Sequence, residues 1–514
     1  MNKIFILIVV QFFHSIVFAN ISKIANEDMV TLHFTSDNRL PYKIGVPFIS
    51  YGTFTEAVQG LLIESTDSNL PDFQDSLSSL EYAEPNKSDP SIINLKLKKN
   101  LYFIDEDSSW EATADDVKFS LARYFFTNLD INAKHSLSNI EGTENIKPGT
   151  PYDPELIKAI SVINKYELTI KLKKIDIHFI EKLTHAGTPL VSIKTLKDNY
   201  FSWKKWPIGV GPYYVLSSNY ETGETIIKKR ENSKYDSAPK FVRFISSNNS
   251  EGDIFWKDMW NLNHEIYKKE VINVSYGTLG IFFNYDSELG KNENFRKAIS
   301  LSINRDELVN NINYIVKNSE MIPISIWGRA NIDLKQNINL AKFYINKVPK
   351  YLLKDTIDIN TFGQNTDALS KSNFVNLKKQ LEILGIKTRF ILDDGKLNLN
   401  SPMHIVGIQA SHKDPSYVFS YFRKGSFYKN SYPKNDENIE DYFNKIILSN
   451  DPKEKLKYSK LLSTYLSESA IVVPLWDLYS VYFYNSNKID SSTFIAQPGG
   501  MRFKVWEIKY KINK

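Results

Sequence analysis

Residues 94–121 read NLKLKKNLYFIDEDSSWEATADDVKFSL, and two periodicities meet in them. Residues 92–98 (IINLKLK) alternate apolar with polar, the period of a strand with one buried face. Residues 115–126 place Val117, Leu121, Tyr124 and Phe125 on one helical face, and Thr113 with Asp116 makes a capping-box-like start. Between them the acidic run Asp105, Glu106 and Asp107 reads as a solvated turn in preference to a metal site or an acid–base pair. A strand, a turn and an amphipathic helix in one stretch predict a mixed α/β fold.

The same alternation recurs at residues 167–173 (ELTIKLK), 225–229 and 240–245, and helical patterning at 294–311, 339–346, 373–384 and 453–467. Further on, 357–361, the helix near Leu377, 387–391 and the apolar run 403–407 form a βαβ-like series, which predicts a separate, partly parallel lobe. With 514 residues the chain is too long for one core. No long Gly/Ser or Pro stretch separates the lobes, so strands that cross between them are the expected connection.

The composition is globular: 42% hydrophobic, 24% charged and 13% aromatic. Lys and Arg (64) barely outnumber Asp and Glu (59), and the charges are interspersed, so no nucleic-acid footprint is present. The absence of cysteine removes disulfides, thiolate metal sites, cysteine nucleophiles and lipid-bearing cysteine. At the N-terminus Lys3, the apolar run 4–13 and the small residues ending at Val17 and Ala19 have the order of a secretory signal peptide, 1–19, cut after Ala19. The apolar run is about half of the ~20 residues that span a bilayer. Export without an anchor predicts a periplasmic protein.

No nucleophile elbow, zinc helix or phosphate loop is present. Gly209 and Gly211 make only a G-x-G, with Tyr214 where a dinucleotide loop would need its third glycine. His404 and His412 lack a second ligand at helical spacing and read as core or surface histidines. Trp256 and Trp260, four apart, read first as core and second as a ligand wall. No catalytic residue, metal site or cofactor is expected.

Taken in order, the segments resemble the large extracytoplasmic solute-binding proteins of ABC importers, family 5. Residues 42–47 (YKIGVP) and 58–62 (VQGLL) are similar to the early strand and helix end of that family. Thr113, Ala114, Asp116, Val117, Phe119, Ser120 and Leu121 hold the register of its most specific block, with Asn100 where a glycine usually stands. Residues 207–213 (PIGVGPY), then Arg230, Glu231, Asn232 and Tyr235, match the next. Residues 280–303 with Phe295, Arg296 and Ala298, then 323–328 (PISIWG) and 473–475 (VPL), complete the order. The resemblance implies an α/β periplasmic binding protein-like fold of the type II, large cluster C kind, two lobes with an extra inserted domain. Domain I would be residues 20–55, 185–284 and 476–514, domain II 56–184, and domain III 285–475, with the ligand cleft between I and III.

The resemblance also implies the function: a periplasmic subunit that captures a peptide or related small polar solute by hinge closure and delivers it to an ABC permease. The expected ligand-binding residues are Gly45, Val46, Trp327, Gly407, Gln409, Ala410, Ser411 and Tyr417. Peptide-binding relatives fix the ligand's α-ammonium with an aspartate just before a D-P turn. Here the turn is Asp414-Pro415 and the matching position is Ser411, which cannot neutralise a buried ammonium. A blocked peptide, a saccharide or another metabolite without a free amine therefore stands beside the ordinary peptide. Ser416 stands where nickel-binding relatives carry histidine, which disfavours nickel. A sensor, a chaperone-like binder and a secreted hydrolase are the alternative readings. The chain is expected to be a monomer with no nucleic-acid partner.

Overall fold

The computed structural model describes residues 28–33, 49–64, 76–127, 134, 137–176, 179–183, 188–200, 202–219, 222–231, 235–245, 252–255, 263, 265–310, 315–361, 368–392, 401–409, 414–423, 430–449, 451–494 and 503–511. Residues 1–19, Trp256, Trp260, His412, Gly45, Val46, Ala410 and Ser411 lie outside these, and of Gln409 only the backbone is described.

In chain order come β1 (Met29–His33), α1 (Ile49–Val58), β2 (Leu80–Pro85), β3 (Ile92–Leu97), α2 (Ala114–Phe126), β4 (Ile160–Val162), β5 (Glu167–Lys171) and α3 (Phe179–Lys182). They are followed by β6 (Tyr213–Asn219), β7 (Glu224–Lys229), β8 (Phe241–Ile245), β9 (Ile254–Phe255) and the long β10 (Tyr267–Phe283). Next are α4 (Glu293–Ser302), α5 (Arg305–Val309), β11 (Ile315–Lys317), α6 (Ile338–Ile345), β12 (Ile357–Thr361), α7 (Ala368–Glu382) and β13 (Thr388–Leu392). The chain closes with β14 (Met403–Gln409), α8 (Pro415–Phe419), α9 (Glu437–Leu448), α10 (Pro452–Glu468) and β15 (Val472–Asn485).

The strands and helices fall where the periodicity places them, with one break. The pattern over 294–311 is two helices: Asn304 starts α5, its side chain accepting a hydrogen bond from the Glu307 amide at 3.2 Å and its backbone amide donating to Gln380 Oε1 at 2.8 Å. At α2, Asp116 Oδ2 accepts from the Thr113 amide at 2.9 Å and from its hydroxyl at 3.0 Å, so the capping signal is real. The acidic run is a turn in which the Asp105 amide donates to the Ser108 carbonyl at 2.9 Å and Asp105 Oδ1 accepts from Trp206 Nε1 at 3.1 Å.

Two of the recognisable blocks turn out to be structural. Asn100 has φ +58°, the left-handed region that glycine enters freely and asparagine enters more readily than other residues. Gly209 and Gly211 lie against the end of α1, where a Cβ would come within 2.2 Å of the Val58 carbonyl oxygen and 2.3 Å of the Ala57 carbonyl oxygen. They are glycines because two backbones touch, with the Gly211 amide donating to Val58 O at 3.0 Å. Arg230 ties the same place down, donating to the carbonyls of Tyr102 at 2.9 Å and Gly209 at 2.6 Å.

Eleven strands form the main sheet, in the order β6-β7-β8-β1-β9-β15-β10-β14-β12-β13, with β11 also paired to β15. A separate four-stranded antiparallel sheet, β2-β3-β5-β4, is covered by α2. The apolar residues gather into three main clusters. One joins β1, α1, β6–β9 and the chain's last segment, through Val30, Phe54, Tyr213, Phe244, Tyr482 and Trp506. The second is built on the four-stranded sheet and α2, through Leu95, Val117, Phe125 and Ile170. The third holds α4–α10 and the partly parallel strands, through Phe283, Phe295, Ile359, Leu377, Ile405 and Leu466.

β10 and β15 are antiparallel partners and run from the first cluster into the third. Ile272 and Tyr482 belong to the first, and Leu279, Ile281, Val473 and Trp476 to the third. The ladder between them shifts register at Val271/Ser275, at Ser275/Gly277 and again at Leu279/Gly280, so it bulges where it changes cores.

Candidate functional site

β14 lies beside β10 over its whole length, from Gly277 opposite Gln409 to Phe283 opposite Met403, with no shift of register. The next pair in this register continues it, the Asn284 amide donating to the Pro402 carbonyl at 2.9 Å. Main-chain groups of successive strand residues point to opposite edges, so His404, Val406 and Ile408 face β10 and Met403, Ile405, Gly407 and Gln409 face away. On that far edge β12 pairs in parallel with residues 403–405. Among the described residues nothing pairs with Gly407 and Gln409 there. Their amides and carbonyls are directed to the edge of β14 away from β10.

Gly407 itself is not forced by packing. A Cβ would meet Leu279 Cδ1 at 3.6 Å and Leu478 Cδ1 at 3.7 Å, ordinary contacts, and its φ is not positive. Trp327 is buried on the loop before α6. Gly328, next to it, has φ +91° and sits so close to α10 that a Cβ would stand 2.1 Å from Ser459 Oγ, which donates to the Gly328 carbonyl at 3.0 Å. The same Cβ would be 3.2 Å from Pro415, the first residue of α8, so the Trp327 loop and α8 touch. Tyr417 on α8 is buried, its hydroxyl 3.1 Å from that of Tyr421 and the two rings edge to face at 5.6 Å. Asp414 caps α8, Oδ1 accepting from the Ser416 amide at 2.8 Å. The D-P turn of the sequence is thus a helix start.

A feature that the sequence did not disclose lies at the crossing of β10 and β15. Asp477 is fully buried there. Its Oδ1 accepts from Thr278 Oγ1 and Asn318 Nδ2, both at 2.6 Å, and its Oδ2 from Ser275 Oγ at 2.9 Å and the Ile324 amide at 2.6 Å. Burial pushes its carboxyl above the usual range, and these donors, with the nearby Arg329, offset part of that. Arg329 donates to the Ile322 carbonyl and, at 3.1 Å, to Asn318 Oδ1. Glu320, also fully buried, accepts from the amides of Ala330 at 2.8 Å and Ile332 at 3.1 Å and from Ser463 Oγ on α10 at 2.5 Å. The loop 318–332, which contains Trp327, is therefore pinned both to the crossing strands and to α10. No sequence motif marks Asp477, because its four partners come from two segments, β10 and the loop 318–332, both more than 150 residues away in the chain.

Among the described residues no group of three or more His, Asp or Glu is placed to hold a metal ion, and no helix is long and apolar enough to cross a membrane.

Residues 80–430 match the sequence model of the bacterial extracellular solute-binding proteins, family 5 Middle. No curated protein matches the chain. Among solved structures, the fold is similar to the ABC transporter-associated periplasmic binding protein DppA of Helicobacter pylori in complex with the peptide STSA, with TM-score 0.71 and 17% identity over 94% of this chain and 98% of that one. The murein tripeptide-binding protein of Escherichia coli gives TM-score 0.73 and 14% identity, over 95% and 99% of the two chains. OppA of Haemophilus influenzae, solved as a complex with RPPGFSPFR, gives TM-score 0.73 and 13% identity, over 94% and 99%. At these identities the likeness establishes the fold.

Proposed function

We propose, from the premise that this chain belongs to the bacterial extracellular solute-binding proteins of family 5, that it captures a peptide or a related small polar solute between two lobes and passes it unaltered to an ABC permease. The carrying observation is the direction of β14's main chain: Gly407 and Gln409 turn amide and carbonyl groups away from β10, and among the described residues no strand pairs with them on that side. An extended ligand adds there as a strand, and main-chain bonds of this kind are indifferent to ligand side chains. The proposal keeps Gly45, Val46, Trp327, Ala410, Ser411 and Tyr417 as lining residues and assigns no catalysis. The three hydrophobic clusters support a three-body organisation, and the reading keeps domains I, II and III with the hinge crossings near Asn284 and Leu475. Signal-peptide cleavage after Ala19 and release into the periplasm complete the reading.

The test is thermal denaturation with an equimolar pool of tri- to pentapeptides, supplied with free and with acetylated amino termini. Ligand at ~100 times its Kd adds about 2.7 kcal/mol and raises the melting temperature. With Ser411 at the amine position, the acetylated pool is expected to shift melting at least as far as the free one. Gly407→Pro removes an amide directed away from β10 and leaves the ladder to β10 intact, so the shift should vanish in a protein that still folds. An unchanged shift in that variant would place binding elsewhere.

A further inference from the structure

Residues 338–354 (INLAKFYINKVPKYLLK) run along the surface of the third cluster and take no part in the β14 site. Ala341, Ile345 and Val348 turn one side of the segment into that cluster, and Tyr344, Leu352 and Leu353 pack on its margin. Other apolar side chains point out. Leu340 and Phe343, three apart on α6, are 38% and 52% exposed, and Tyr351 is 67% exposed. Three large apolar side chains left in water within so short a segment mark a contact surface. Lysine is interleaved with them: Lys342, Lys347, Lys350 and Lys354 are all exposed, and residues 336–354 contain no acid. The whole chain carries only +5, so this is a local excess of positive charge. Lys347 Nζ lies 4.1 Å from the centre of the Phe343 ring. Acids on and before the neighbouring α4 are already engaged, Glu293 with Lys297 at 2.6 Å and Glu288 with the Tyr351 hydroxyl at 3.3 Å. Among the described residues none of the four lysines pairs with a carboxylate.

We propose that residues 338–354 are a peripheral membrane contact, seating this body on the anionic phospholipid headgroups of a bilayer. The lysines supply attraction to phosphate, and Leu340, Phe343 and Tyr351 enter the headgroup layer beside them. The choice of cation favours lipid over a protein partner. Protein interfaces are depleted in lysine and enriched in arginine, whose planar fork suits a fixed partner. All four cations here are lysine, a point charge on a flexible stem, which suits mobile phosphates. A chain without cysteine cannot be held through an acylated thiol, and a reversible patch serves a protein that must reach a membrane and leave it. The contact does not depend on the guest, so a peptide pool that shifts no melting temperature leaves it untouched.

The test is co-sedimentation of the protein purified after export with vesicles of phosphatidylcholine, alone or with about 40% phosphatidylglycerol, at low salt. The parent is compared with Lys347→Glu/Lys350→Glu/Lys354→Glu and with Phe343→Ser/Tyr351→Ser. All five positions are exposed, so both variants should melt as the parent does. The parent is expected to bind the anionic vesicles at least about fivefold more tightly than the neutral ones, with the difference abolished at about 0.5 M salt. Charge reversal should lower affinity for the anionic vesicles at least about fivefold. Removing the rings should lower it at least about threefold and leave the salt dependence in place. A lipid preference or a charge-reversal loss under about fivefold, or a ring loss under about threefold, would overturn the membrane contact. A parent that ignores both kinds of vesicle overturns it too and hands the patch to an acidic protein surface.

Discussion

Asp477→Ala is expected to cost about 3–5 kcal/mol of stability, the range for leaving buried polar partners of a charge uncompensated. The carboxylate accepts four hydrogen bonds in a site closed to water, from two residues of β10 and two of the loop 318–332. Alanine leaves all four donors without an acceptor. Asp477→Asn keeps the shape and one oxygen, so two donors remain served and the loss should be about half as large. Urea denaturation of the two variants measures both. A loss below about 1 kcal/mol for alanine would mean that the donors find other partners and that the crossing is not organised by this side chain.

The second large effect is on pH dependence. His404 is buried in β14, and burial lowers its pKa from 6.5 to about 4, a hydrogen bond with the Ser401 main chain offsetting part of the shift. Between pH 6.5 and about 4 the unfolded chain takes up a proton that the folded chain refuses. Stability is therefore complete above pH 6.5 and falls as the pH drops through this window, by about 3 kcal/mol when it has been crossed. His404→Leu, a neutral side chain of similar bulk in the same core, removes this component. Denaturation at pH 7 and pH 4 should show the parent losing about 3 kcal/mol more than the variant. Equal losses would show that the imidazole is hydrated or paired when charged.

What the sequence disclosed and what it hid follow from how far apart the cooperating residues lie. The alternation of 92–98 and the helical face of 115–126 are local, and β3 and α2 form there. Thr113 and Asp116 are three apart, and the cap is made. The blocks that carried the family resemblance were legible because each answers a backbone demand: Asn100 at a positive φ, Gly209 and Gly211 under the end of α1, and Arg296 on the carbonyls of Ala470, Gly290 and Lys291. Such residues build the scaffold and say little about its guest. The direction of the Gly407 and Gln409 main-chain groups depends on the register of β14 against β10, and periodicity does not show that. Asp477 joins segments far apart in the chain, so spacing carried no sign of it. The break at Asn304 was missed because the apolar pattern runs through it, while the cap and the Gln380 contact decide the geometry.

Native mass spectrometry of the protein gently purified after export, without added ligand, tests most directly whether two lobes close on a guest. The account predicts a fraction of molecules carrying an extra non-covalent mass that is lost intact on denaturation, either as a ladder of peptides or as one discrete solute. A spectrum showing the bare chain alone, from protein that also fails to shift its melting temperature with any member of the peptide pool, would contradict it.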